Sequence, residues 1–209
     1  MMLWGVHQGG LELRRDRDGS TRLRGRFPYG KPAVLSDGGR TGRPRKEVIA
    51  PRAFSHRVED PDAEIHLLLG HDFDHPLASK LTNTLDLRDS DDALSFEAVI
   101  SAAVAETSHG RDALALIGAG LAVGLSPGFR IPPERAVPDA EEVEEEPDDG
   151  PGSERRGALI RTVKAALLYE LSIVTRQAYQ EAQVEARSWS PNNGAGTRPK
   201  VHPLYRWRA

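Results

Sequence analysis

LAVGLSPGF, residues 121–129, is the stretch from which the rest of the chain is read. As a strand it alternates, with Leu121, Val123 and Leu125 on one side and Ala122, Gly124 and Ser126 on the other. The first face can bury itself. The second is small enough for a peptide carbonyl to approach the Ser126 hydroxyl without meeting side chains. Pro127 and Gly128 suit a backbone that bends just past the serine. Ser126 is therefore a candidate nucleophile, or else a polar residue at the end of an ordinary strand before a Pro-Gly turn. Short Gly-x-Ser strings are common, so spacing alone does not choose between the two.

Upstream, residues 3–8 and 11–15 read as short strands joined by Gly9-Gly10, and Leu23, Gly25 and Phe27 alternate with arginines in another half-buried strand. Residues 29–46 read as loop, Glu47-Val48-Ile49 as a short apolar segment, and Pro51 as the first residue of a short helix bearing Ala53, Phe54 and Val58. Glu64–Leu69 is a strand running into the turn-like Gly70-His71-Asp72-Phe73-Asp74-His75-Pro76, and alternation places Ile65, Leu67, Leu69 and His71 on one face. Residues 81–87 and 93–100 form a hairpin, and Thr107 or Ser108 caps a helix over 111–119. After the 121–129 stretch come an acidic excursion, a strand over 159–163 and the apolar strand ALLYELSIV over 166–174. Residues 177–187 are compatible with helix or strand. Several short strands with two modest helices imply a β-barrel or sandwich carrying helices outside.

The 209 residues are most simply one domain with a tail, long enough to bury a core. The folded part is expected over 1–187, interrupted by a disordered acidic insertion at about 134–156, and 188–209 is a flexible polar tail. The absence of cysteine removes disulfides, a thiol nucleophile and thiolate metal sites, and fits a reducing compartment. No apolar run approaches membrane-spanning length, which gives a cytosolic expectation with no membrane partner. The net charge is −3, and residues 139–149 carry eight acidic groups, leaving +5 on the rest. The early arginines are interleaved with acids and lack stacking aromatics, so no specific nucleic-acid partner is expected.

A serine hydroxyl needs a base to take its proton, and the base needs a group to orient it. Of the seven histidines, His7, His109 and His202 fall in fraying or exposed places, His56 on a short helix, and His66 on the face opposite Ile65 and Leu67. His71 and His75 are left, with His71 at a strand end. Glu170 is a carboxylate in an apolar strand, where burial demands a partner such as an imidazole or an arginine. Asp72 and Asp74 compete with it for orienting His71, and His75 is a further candidate third member. A second chemistry takes His71-Asp72-Phe73-Asp74-His75 as a metal site of a hydrolase, but strand alternation turns the histidines away from the aspartates. No cofactor is expected.

Taken together, LRGRFPYG (23–30), EVIAPRAF (47–54), IHLLLGHDFDHPLAS (65–79), NTLDL and ALSFEAVI (83–87 and 93–100), AVGLSPGF (122–129) and YELSIVTRQAYQEAQVEAR (169–187) give the chain a resemblance to the prohead proteases of tailed phages, relatives of the herpesvirus assemblins. No single motif is specific; their order and spacing carry the likeness from about residue 22 to 187. The resemblance implies an α+β, mostly β fold, a closed or nearly closed antiparallel barrel with helices packed outside. It implies a serine endopeptidase with Ser126 as nucleophile, His71 as base and Glu170 at the third position. An arginine assisting the oxyanion is implied after the third-residue strand, where Arg176 falls, with Arg161 as the alternative. The implied substrate is a major capsid or scaffolding protein, cut in the host cytoplasm inside an assembling prohead, with self-cleavage and homo-oligomer formation as further options. A catalytically inactive assembly scaffold of the same fold is the remaining alternative.

The sequence departs from the family pattern at Arg52, where a small glycine is expected, at Gln177, where proline is expected, and in the acidic insertion at 139–149.

Overall fold

The computed structural model describes residues 11–39, 42–122, 124–147 and 157–175. Strands β1 (Glu12–Arg15), β2 (Thr21–Pro28), β7 (Leu85–Asp89) and β8 (Ala93–Ile100) make one antiparallel sheet in the order β1-β2-β8-β7. Alternation is read directly in β2, whose buried Thr21, Leu23, Gly25 and Phe27 are separated by exposed arginines. A second sheet has the order β10-β11-β4-β3, formed by β3 (Ala33–Ser36), β4 (Arg45–Ile49), β10 (Glu141–Glu145) and β11 (Leu159–Val163). The third has the order β6-β5-β12-β9, from β5 (His66–Leu69), β6 (Asp72–Ser79), β9 (Gly124–Arg130) and β12 (Leu167–Val174).

The expected closed antiparallel barrel is not what forms. The strands divide into three open sheets of four, and none closes on itself. Two pairings are also parallel, β11 with β4 and β12 with β5. The physical reason lies in β5 and β12: their near-continuous apolar runs are buried on both faces, a pattern suited to parallel central strands. A mostly β, α+β composition holds, with three short helices among the described residues: α1 (Ser55–Glu59), α2 (Ala102–Ala105) and α3 (Ser108–Gly118).

The core is one contiguous cluster that includes Leu23, Phe54, Ile65, Leu67, Leu94, Ile100, Ile117, Leu171 and Ile173. Thr107 caps α3 by accepting from the Gly110 N–H at 3.1 Å, and Ser101 caps α2 by accepting from Val104. Arg57 staples α1 to the third sheet, donating to the carbonyls of Leu168 at 2.7 Å and Glu64 at 2.8 Å. Among the described residues no helix is long and apolar enough to cross a membrane.

Five local expectations change. Residues 33–36, expected within a loop, form β3, and Pro51 lies in turns ahead of α1, which begins at Ser55. Residues 72–79 are a strand, so His75 lies in β6 rather than in a turn. Leu121 stands exposed in a bend before β9 instead of joining the buried face with Leu125. Glu141–Glu145, part of the stretch expected to be disordered, forms β10 against β11. Cations on neighbouring segments match its acids: Arg161 meets Glu141, Lys164 meets Glu142 at 2.5 Å, and Arg43 meets Glu145. Exposed pairs of this kind contribute little each, about 0–1 kcal/mol; the ladder with β11 supplies the backbone partners. Residues 3–8 and 177–187 and the tail lie outside the described residues.

Candidate active site

The turn between β5 and β6 is the first determinant. Leu69 pairs with Asp72, so Gly70 and His71 are the two central residues of a tight hairpin, and both have positive φ, 68° and 63°. That is the sign pattern of a type I′ turn, favoured between twisted strands. Glycine takes such a backbone freely. Histidine does so at a cost of about 1–2 kcal/mol, so the surroundings must hold it there. The turn breaks the alternation that would have kept His71 on the face of Leu67 and Leu69. It swings the residue to β12.

On β12, Glu170 and Ser172 are two apart and share a face. Both are buried, Glu170 to 3 % exposure and Ser172 to 0 %. A carboxylate at such depth is costly unless it is hydrogen-bonded. Here Oε1 lies 2.7 Å from Nδ1 of His71, and Oε2 accepts from the Ser172 hydroxyl at 2.7 Å. Ser172 Oγ in turn accepts the His71 backbone N–H at 2.8 Å. The hydrogen-bond network assigns the Nδ1–H tautomer to His71, which leaves Nε2 with a lone pair. The His71 side chain is 46 % exposed, so its ring can be reached from outside while its carboxylate partner is sealed in.

β9 supplies the rest. Ser126 is directly opposite Ser172, and Gly128 is opposite Glu170. Residues opposite one another on neighbouring strands put their side chains on the same face, with Cβ atoms about 5 Å apart. Ser126 thus shares a face with Ser172, whose hydroxyl is bonded to both the backbone of His71 and the carboxylate bonded to its ring. Ser172 is fully buried and uses its hydroxyl as both donor and acceptor; Ser126 is only half-buried. Of the two facing serines, 126 is the one open to a substrate. Its hydroxyl is not hydrogen-bonded to the His71 ring among the described residues. β9 is an edge strand of its sheet, a position that tolerates the missing N–H of Pro127. That same missing N–H removes residue 127 as an oxyanion donor.

The competing residues are placed elsewhere. Asp72 receives His75 Nδ1 at 2.9 Å and the Asp74 N–H at 2.9 Å, so it orients His75 and not His71. His75 packs beside His109 with ring centroids 5.3 Å apart. The two histidines of the HDFDH string therefore have separate carboxylate partners, and among the described residues no three His, Asp or Glu side chains gather as metal ligands. Arg161 is held between Glu141 and Glu47 in the second sheet, whereas β9 and β12 belong to the third. Burial raises the Glu47 carboxyl above its usual range, with Arg161 opposing. Arg176 lies outside the described residues.

The sequence reading gives no role at the site to Ser172 or Gly128, which the structure sets against Glu170. The signal for Ser172 is its two-residue spacing from Glu170 on one strand face. Gly128 is legible only once β9 and β12 are paired.

No curated protein and no solved structure matches the chain. The family model described as caudovirus prohead serine protease matches residues 37–195, a span that includes the Ser126, His71 and Glu170 segments and most of the 209 residues. By that match the chain belongs to the caudovirus prohead serine protease family, whose members are proteases of capsid maturation.

Proposed function

We propose that this protein is a serine endopeptidase in which Ser126 attacks, His71 carries the proton and Glu170 orients the imidazole. The observation that carries the reading is the 2.7 Å contact between Nδ1 of His71 and the buried Glu170, built on the same sheet face that bears Ser126. His71 Nε2 takes the Ser126 proton as Oγ bonds to the substrate carbonyl carbon. The tetrahedral intermediate collapses with rupture of the C–N bond, and the proton passes from His71 to the leaving amine. Water, deprotonated by the same imidazole, then splits the acyl ester and restores Ser126. Glu170 keeps its hydrogen bond to Nδ1 throughout and stabilises the imidazolium.

The substrates are capsid or scaffolding proteins met inside the assembling prohead within the host, and the protease's own C-terminal segment is a further target. The test is co-expression with the capsid protein of the same virus, comparing wild type with Ser126→Ala. Shortening of the capsid protein by wild type alone supports the reading. Equal processing by the two removes Ser126 as the nucleophile, and no processing by wild type contradicts the reading and favours an inactive assembly scaffold.

A further inference from the structure

Building on the Ser126–His71–Glu170 reading, we propose that Ser172 is a positioning residue of the reaction, a buried hydroxyl that locks the base and its orienting carboxylate in one geometry. Two independent constraints meet on its oxygen. It donates to Glu170 Oε2 at 2.7 Å, which fixes the rotation of the carboxylate and so aims Oε1 at the imidazole. It accepts the His71 N–H at 2.8 Å, which holds a non-glycine residue in the left-handed conformation that places the ring. Ser172 joins the backbone of the base to the group that orients its side chain, on the strand facing the nucleophile. Its 0 % exposure keeps water from competing for either bond.

The remaining freedom of Glu170 is closed from the other side. A methyl group at Gly128 would stand 1.9 Å from Oε1, so the carboxylate lies flush against the β9 backbone. Between Gly128 and the Ser172 hydroxyl, the acid has one seat. Loss of the hydroxyl frees the carboxylate to rotate and the turn to relax. A base displaced by even an ångström is expensive in rate, because proton transfer is steep in distance.

The test uses the full-length protein and a fluorophosphonate, which forms an Oγ–P bond at the activated serine as P–F breaks and the serine proton passes to His71. In Ser172→Ala we expect the maximal phosphonylation rate to fall about 10- to 100-fold while half-saturation changes by less than about twofold. In a Glu170→Gln background the same substitution should cost less than it does in wild type, because the share that runs through the carboxylate is already gone and only the hold on the His71 N–H is left to lose. Ser172→Thr, which restores a hydroxyl, should recover most of the rate. Hydrogen exchange on wild type adds a readout that needs no variant to fold: the His71 amide should be protected although it lies in a turn. A wild-type rate in Ser172→Ala, a full additive loss in the Glu170→Gln background, or an unprotected His71 amide overturns the role of Ser172 while leaving the Ser126 reading intact. Wild-type protein that is not modified at Ser126 overturns both.

Discussion

Gly128 and Glu170 sit opposite one another on β9 and β12, and a Cβ at position 128 would fall 1.9 Å from the carboxylate oxygen that meets His71. The glycine is thus the floor on which the buried acid rests. Gly128→Ala forces Glu170 to leave its seat, and the buried site offers no equivalent one. We expect activity against capsid protein to fall at least about tenfold and stability to drop by about 1–3 kcal/mol, the usual range for overpacking. Chemical denaturation and a cleavage time course check both; an alanine variant with wild-type activity would mean the carboxylate position is immaterial.

Glu170 can be probed by charge and by shape separately. Glu170→Gln keeps the volume and an acceptor for Nδ1 but removes the charge that stabilises imidazolium, so turnover should fall by about 10²–10⁴ with little change in melting temperature. Glu170→Ala removes the partner of both His71 and Ser172, and should destabilise by about 1–3 kcal/mol in addition. Equal turnover in Glu170→Gln and wild type would remove Glu170 from the mechanism.

Glu47 gives a pH signature unconnected to catalysis. Burial raises its carboxyl in the folded protein, only partly offset by Arg161 at 3.3 Å. An acid whose folded value is raised costs stability once pH exceeds its unfolded value, and the cost is complete above the folded one. Glu47→Gln should therefore match wild type near pH 4 and exceed it at pH 7, the gap opening as pH rises. Urea midpoints at the two pH values decide it, and a gap that closes on going to pH 7 contradicts the assignment.

Arg52 explains a departure visible in the sequence. Its φ of 58° is left-handed, which is why glycine suits the position between Pro51 and Ala53. The arginine is retained with an exposed pair to Glu59 at 3.0 Å, a contact of modest value. Arg52→Gly relieves about 1–2 kcal/mol of backbone strain, loses the pair and gives the unfolded chain more freedom. The expected net is a rise in stability of about 0.5 kcal/mol by these terms, read from the denaturation midpoint with activity unchanged. A clear loss of stability would show that the Glu59 pair matters more than the backbone.

Much of this arrangement was legible in the residues. β2, β8, the Thr107 cap and the strand bearing Glu170 follow from alternation and capping chemistry, because each signal is local. The pairing of β12 with both β5 and β9 is not local, and the barrel expectation failed there: strand patterns say which residues are buried, not which edges meet. β10 was hidden because its run of glutamates reads as solvated until Arg43, Arg161 and Lys164 are brought alongside. At the site, His71 and Glu170 stood out as a histidine at a strand end and a charge among apolar residues. Ser172 gains no role from the sequence, since a small polar side chain shows its use only when its partners, 101 positions away in one case, are in place.

The central claim is that the imidazole of His71 serves the hydroxyl of Ser126. A crystal structure of the full-length protein after reaction with a fluorophosphonate tests it most directly. The account predicts phosphorus bonded to Ser126 Oγ, with Nε2 of His71 about 2.6–3.2 Å from that oxygen and Nδ1 still on Glu170. An unmodified Ser126, or a modified one with the His71 ring turned to the other face of the sheet, would contradict it.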